Sequence, residues 1–397
     1  MSEILSTWFK DRRKQQLLAP IRRFMVGSMD LSHRVTAWPS IEHVGSELRS
    51  VKASLTLANN DGALNDFLYQ TWMFPRMATL EIGLEHPETG PELYRIFAGT
   101  LREVQFTKDN ARFYLRDKLW EFTERKIGDH ENPVVFENQY PSEIVWTLCT
   151  SYGGFSDIAD TANPDIDYDA FNTWDNLFRR DNLKISCHFE GSKLAEALNK
   201  ICVAADSNLW LEASYGENGG LMFRRNSVPK SRDNVFGEDV CYSMEVQVDT
   251  MKMANCFYTY GDFNVDSDEH EIMIQALDLT NINTFGLKEQ SFKDSNVWHV
   301  GSLSALNYAE QQVTRFGAPC KVFKIKTGLS ALGHTVGDTV RFTNSFWEIG
   351  SSSGWIINRY KLDLQQAACE FWAEETQVFQ AFQLDVSYLD GPDLLIN

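Results

Sequence analysis

The feature that most constrains this chain is a two-residue alternation of apolar and polar side chains, repeated in short runs and broken by turn-forming clusters. Val51, Ala53, Leu55 and Leu57 alternate with Lys52, Ser54 and Thr56, and Asn59-Asn60-Asp61-Gly62 stops the run. Successive side chains of a strand point to opposite faces, so this pattern buries one face and wets the other only as part of a sheet. The theme returns at 79–84, 94–106 and 111–115, with Lys108-Asp109-Asn110 as a hairpin turn between the last two. Short strands at such spacing predict a small antiparallel barrel.

Between 126 and 190 the texture changes. Pro141 and Ser142 open a helix with Ile144, Val145 and Leu148 as its apolar face. A second helix is expected after Gly191, with Ser192 as cap and Leu194, Leu198, Ile201 and Cys202 at helical spacing. The runs 209–213 and 221–225 read as a hairpin around Gly216-Glu217-Asn218-Gly219-Gly220. Strand-like runs follow at 242–248 and 256–260, then an acidic exposed loop, Asp266-Ser267-Asp268-Glu269-His270-Glu271. A third helix starts at Ser302 as cap, carries Leu303, Leu306, Ala309, Val313 and Phe316 as a stripe, and stops at Gly317 and Pro319. Strands are expected again at 321–327, 339–343 and 355–362. The fold class is therefore α+β, predominantly β, without a fixed-period repeat.

Length and composition bound the rest. A chain of 397 residues exceeds one ordinary core and predicts two to four domains. Hydrophobic residues at 43% and aromatics at 13% supply enough large apolar surface to pack those cores. The net charge of −18 argues against a protein that grips nucleic acid, because phosphate binding draws on clustered Lys and Arg. The sign is not uniform: the first 34 residues hold seven cations (Lys10, Arg12, Arg13, Lys14, Arg22, Arg23, Arg34) against three anions. That segment reads either as a solvated helix or strand edge, which takes precedence, or as an arm for an acidic partner. The seven cysteines lack any CxxC pair, which fits buried thiols folded in a reducing compartment. No signal peptide and no apolar run of membrane-spanning length is expected.

The chemistry of catalysis finds little purchase. Gly350-Ser351-Ser352-Ser353-Gly354 matches GxSxG, but a nucleophile elbow needs a helix after the serine, and Trp355-Ile356-Ile357 reads as a strand. Asp165, Asp167 and Asp169 imitate a calcium loop whose sixth and twelfth positions hold Ala170 and Asn176 instead of glycine and a bidentate acid. The eight histidines never fall at metal-ligand spacing, and His270-Glu271 lacks the second histidine of a metalloprotease. No phosphate-loop or dinucleotide fingerprint is present. No catalytic, cofactor-binding or metal-ligating residue is assigned, and the expectation is a non-enzyme without cofactor.

Several segments, taken in order, resemble the hub proteins of bacteriophage tail tips and baseplates. Ser50 to Gly62 is similar to the early strand ending in an N-x-D-G turn. Phe97-Ala98-Gly99-Thr100-Leu101 and Tyr114-Leu115-Arg116-Asp117-Lys118-Leu119 are similar to the F-x-G strand and the closing x-D-x-L strand. The 141–146 and 152–154 segments and Asn163-Pro164-Asp165-Ile166-Asp167 look like the following insertion. The 191–207 helix, Gly286-Leu287, the 302–316 helix and Val336-Gly337-Asp338-Thr339-Val340 resemble the late segments. The likeness spans most of residues 40 to 365, and its weight lies in the shared order.

The resemblance implies two small antiparallel barrel-like domains with mixed α/β insertions, so that a homotrimer presents a pseudo-sixfold ring. The domains it implies are a basic N-terminal arm 1–34, a first barrel-like domain 35–125, a mixed insertion 126–190, a second barrel-like domain from 191–255 with 315–375, an insertion 256–314, and a tail 376–397. It further implies a virion protein assembled in the host bacterial cytoplasm, joined to a tail tube or distal-tail protein above and a central spike or fibre protein below. DNA would pass through its channel without specific binding, and no stable membrane insertion is expected. A hexameric distal-tail adaptor and a receptor- or carbohydrate-binding module stand as alternatives, and a wall hydrolase or esterase as the enzyme reading.

Overall fold

In the computed structural model the described residues are 8–9, 20–44, 48, 50–69, 76–155, 178–214, 219–226, 230–237, 239–346 and 354–375. The chain begins with β1 (Ile21–Val26), β2 (Met29–Asp30), β3 (Val35–Ala37), β4 (Ser40–Val44), β5 (Lys52–Ala58), β6 (Arg76–His86), β7 (Gly90–Phe106) and β8 (Asn110–Arg116). Seven of these form one curled sheet in the order β2-β1-β6-β7-β8-β5-β3. Its inner face is the alternating set read from the sequence: Ala53, Leu55 and Leu57 of β5 are buried with Ala111, Phe113 and Leu115 of β8, paired residue for residue.

The middle of the chain supplies β9 (Lys126–Ile127), β10 (Val134–Gln139), α1 (Pro141–Thr147), β11 (Ile185–Phe189), β12 (Ser192–Lys193), α2 (Leu194–Ala204), β13 (Ser207–Glu212) and β14 (Gly220–Arg225). Then come β15 (Lys230–Phe236), β16 (Cys241–Asp249), β17 (Cys256–Asn264), β18 (Glu269–Leu277), α3 (Leu279–Phe285), β19 (Glu289–Phe292), β20 (Val297–His299) and α4 (Gly301–Phe316). The last strands are β21 (Cys320–Thr327), β22 (Asp338–Phe342), β23 (Gly354–Asp363) and β24 (Ala368–Glu375).

A second curled sheet runs β15-β22-β23-β24-β21-β16, and β4 leaves its neighbours in sequence to pair with β23. The apolar inner faces of the two curled sheets merge into one buried cluster, which includes Phe24, Leu55 and Phe113 from the first and Phe323, Phe342, Trp355 and Phe371 from the second. The contact is pinned by hydrogen bonds from Arg22 Nε to the Leu364 carbonyl (2.5 Å) and from the Leu364 amide to the Pro39 carbonyl (3.1 Å). Arg22 and Arg23 thus belong to a sheet strand: Arg23 pairs with Asp30 and Glu81. Lys10, Arg12, Arg13 and Lys14 lie outside the described residues, as does the tail from 376.

The third sheet, β10-β11-β20-β17-β18 with β19 beside β17, belongs to a separate core. α2 and α4 contribute to that core through Leu194, Leu198, Ile201, Tyr308, Ala309 and Val313. This corrects the placement of 191–225 in the second barrel-like domain. The apolar stripe of α2 and the buried Leu209, Leu211, Leu221 and Phe223 of the β13–β14 ribbon complete the middle core. A helical stripe announces that it will be buried but not against which sheet.

Two glycines allow the strands of the first sheet to approach. A Cβ on Gly83 would lie 1.9 Å from the Glu92 carbonyl oxygen of β7, and one on Gly99 would lie 2.3 Å from the Arg116 carbonyl oxygen of β8. Gly99 is the glycine of the F-x-G segment, so that pattern reflects close strand packing.

Candidate assembly surfaces and interior polar sites

The Val336-Gly337-Asp338-Thr339-Val340 segment shapes the entry into β22. Gly337 has φ +84°, a conformation glycine adopts without a steric cost. The carboxylate of Asp338 accepts from the Thr335 amide at 3.0 Å, closing the turn. Its other oxygen meets Arg224 Nη1 of β14 at 3.2 Å, and both side chains are almost fully buried. His334 Nδ1 stands 3.6 Å from the same carboxylate. The motif is therefore both a turn and a clasp that fastens the middle core to the second sheet.

A second clasp lines a cleft of about 470 Å³ between α4, the β13–β14 ribbon and the second sheet. Arg315, near the end of α4, reaches Asp206 at 2.7 Å and Glu374 of β24 at 3.7 Å. Lys252 and Asn358 also contact Glu374, at 2.7 and 2.6 Å. Burial pulls the Arg315 guanidinium down, but the two carboxylates outweigh it and hold it above its ordinary value. Burial raises Glu374, yet Arg315 and Lys252 carry it below the usual carboxylate range. The cleft thus matches two cations, Arg315 and Lys252, with two carboxylates, Asp206 and Glu374.

In the middle core, His299 is fully buried against Tyr308 and Phe292. Ser304 Oγ donates to the Lys184 carbonyl and accepts from the Lys184 amide, so the His299 Nδ1 facing it at 3.2 Å must carry the proton. Nε2 then meets no hydrogen-bond partner among the described residues. Burial, then the field of Arg225, pushes this imidazole down to about 3. The Ser304 hydroxyl is itself committed to the Lys184 carbonyl, and His299 is packed as a neutral ring.

Of the GxSxG match only Gly354 is described, and it opens β23, a strand rather than a helix. Asp165, Asp167, Asp169, Ala170 and Asn176 lie outside the described residues. His270 sits in β18 against the rings of Tyr260 and Phe263. Among the described residues no three His, Cys, Asp or Glu side chains converge on a point that could hold a metal. No helix there is long and apolar enough to cross a membrane.

The surface is more informative than the interior. α3 buries none of its residues, and Leu279 is 66% exposed beside exposed Phe285 and Leu287. The loop carrying Met251, 88% exposed, is tied to the same region by Asn255, whose side chain bonds the Gly286 carbonyl (2.8 Å) and the Lys288 amide (2.7 Å). Exposed large apolar groups gathered this way mark a surface for association. Sequence reasoning missed it because Leu279, Ile282 and Phe285 read equally well as a core-facing stripe.

No protein-family model matches the chain, and no curated protein sequence matches it. Solved structures do. A tail protein from Neisseria meningitidis MC58 superimposes with a TM-score of 0.54 at 12% identity, over 91% of this chain and 98% of that one. The 43 kDa tail protein of prophage MuSo2 from Shewanella oneidensis gives 0.53 at 12% identity, over 89% and 98%. Prophage tail protein gp18 from Listeria monocytogenes EGD-e gives 0.50 at 10% identity, over 89% and 94%.

The chain has the fold of phage tail proteins.

Because the superposition runs nearly end to end, the tail-protein fold includes both curled sheets and the middle core rather than one shared module. At about one identity in eight, what this fold preserves is architecture. The sequence expectation of a predominantly β chain with two barrel-like units stands, in the form of two open, curled sheets.

Proposed function

We propose that this chain is a structural, non-enzymatic hub of a phage tail tip or baseplate. Three copies would form a ring that joins a sixfold tail tube or distal-tail ring to a threefold spike or fibre and surrounds the DNA exit channel. The observation that carries the reading is the pair of curled sheets on one polypeptide within a tail-protein fold. Two similar units per copy let three copies match a sixfold neighbour, which a single unit could not do.

Other features support the reading. The exposed apolar patch around α3 and Met251 needs a partner to leave water. The net charge of −18 suits a wall that DNA phosphates slide past without sticking. The buried polar clusters are clasps between cores, as expected of a protein that transmits load rather than turns over substrate.

The test is the mass and symmetry of the assembly, in solution and by electron cryomicroscopy of purified virions. A threefold ring at the tail tip is the expected result. A sixfold ring would make the protein a distal-tail adaptor instead, and absence from particles would defeat both. Turnover of purified cell wall or generic esters would overturn the non-enzymatic assignment.

A further inference from the structure

The outer face of the first sheet carries a cluster of cations that the chain offsets only in part, through the field of the buried Asp117 on Arg116. Lys52 of β5 and Arg116 of β8 stand directly opposite one another in the antiparallel register. Arg112 lies four residues earlier on β8, on the same face. Like charges directly across a strand pair oppose the pairing. Among the described residues none of the three makes an ion pair. Arg112 bonds Ser54 Oγ at 3.4 Å and lies over the Tyr114 ring at 5.2 Å. The one acid on this part of the face, Glu103, instead takes a hydrogen bond from Gln105 at 2.7 Å. In a chain of net charge −18, such a stripe calls for an anionic surface.

The chain itself displays one of matching size. β17 and β18 form a hairpin, and β17 makes its last pairing with β20 at Gly261. At its tip the turn presents Asp266 and Asp268, and the first residues of β18 present Glu269 and Glu271, all exposed and without a paired cation among the described residues. Among the described residues the Glu271 side chain is bonded only by Asn264, at 3.2 Å. Val265 at the same tip is 51% exposed and offers an apolar contact for a ring such as Tyr114. Arg112 and Arg116 are about 13 Å apart along the strand, a span that a turn of this length covers.

We propose that a second copy of this chain docks on the outer face of the first sheet, seating its Asp266–Glu271 hairpin tip on Lys52, Arg112 and Arg116. The contact joins different patches of the two copies, so repeating it generates a ring when the rotation closes. The inference deepens the ring reading above and rests on it. Opposite charges at the rim of such a contact set register and association rate, and their contribution weakens with salt.

Light scattering and native mass spectrometry of the full chain, with circular dichroism melts to verify folding, test it. Lys52→Glu with Arg116→Glu should weaken ring formation about tenfold or more, as should Asp268→Lys with Glu271→Lys. The four changes combined should restore the ring, which a folding defect would not allow, and high salt should weaken the wild-type ring. A ring that persists unchanged in both double variants, or fails to return in the fourfold variant, overturns this contact while leaving the hub reading intact. A wild-type chain that is monomeric at every concentration and missing from tail particles overturns both.

Discussion

His299 illustrates how much a single buried side chain can say about conditions. Its folded value of about 3 lies below the ordinary 6.5, so between those limits the unfolded chain binds the extra proton and the folded one does not. The stability it contributes is full above pH 6.5 and is lost progressively as pH falls toward 3, reaching about 2 kcal/mol at pH 5. Asp117 works in the opposite sense. Burial lifts it to about 6 from 3.8 despite hydrogen bonds from Ser50 and the Val51 and Trp120 amides, so its penalty grows as pH rises through that window. Comparing wild type with His299→Phe cancels the Asp117 effect. The variant should keep most of its stability at pH 7, because Ser304 stays bonded to Lys184, and should lose about 2 kcal/mol less than wild type on going to pH 5, read from urea unfolding at both pH values. An unchanged acid slope would mean that His299 is not buried neutral.

The Arg224–Asp338 clasp belongs to the same scale. Replacing Arg224 by Met removes the guanidinium from a fully buried carboxylate and should cost about 3–5 kcal/mol, the usual penalty for orphaning one member of a buried pair. A loss within about 0.5 kcal/mol in urea unfolding would show that the carboxylate is satisfied by its remaining partners, the Thr335 amide among them.

Among the elements, strands were legible and their partners were not. The alternation at 51–57 marks the strand found at Lys52–Ala58, and the turn expected at 108–110 closes with the Thr107 amide on the Asn110 carbonyl at 2.8 Å. The helix expected from Ser302 runs Gly301–Phe316. Its cap is different: Val300 is the boundary residue, Gly301 takes φ +69°, and Ser302 lies within the first turn. Ser192 likewise pairs with Ile127 in a short strand, and Lys193 is the boundary of α2. A serine ahead of an apolar stripe is an ambiguous signal, since a preceding strand pairing can use the same residue. The early strand β1 was legible only as a solvated helix or strand edge, because Ile21-Arg22-Arg23-Phe24 does not alternate cleanly, whereas Phe24 and Val26 are buried. The glycine of the F-x-G run yields a prediction at this scale. Gly99→Val must push β7 away from the Arg116 carbonyl and the Phe97 ring, at a cost of about 1–3 kcal/mol or more, measurable as a lowered melting temperature. A melt unchanged from wild type would show that β7 has room there.

For the whole molecule, the question is what holds three buried regions in one arrangement. The two curled sheets share an apolar cluster, whereas the middle core is fastened to the second sheet by Arg224–Asp338 and by Arg315 with Asp206 and Glu374. Removing Arg315 should therefore loosen the attachment more than either core. Arg315→Ala is expected to raise hydrogen exchange at the cleft-lining ends of α4 and β24 while β5 and β8 of the first sheet keep their protection. Uniform loss of protection would indicate instead that the molecule unfolds as one unit.

By itself the sequence determined the class of structure: period-two runs demand sheets, and stripes at helical spacing demand helices. It also exposed the acidic run at 266–271, although not that these carboxylates sit at a hairpin tip. Only the tertiary structure decided that β4 crosses to β23, that α2 and the β13–β14 ribbon join the middle core, and that Lys52 and Arg116 face one another. The reason is physical. Alternation and helical periodicity are local properties that fix which face is buried, whereas the choice of partner depends on contacts between residues far apart in the chain, which no local pattern encodes.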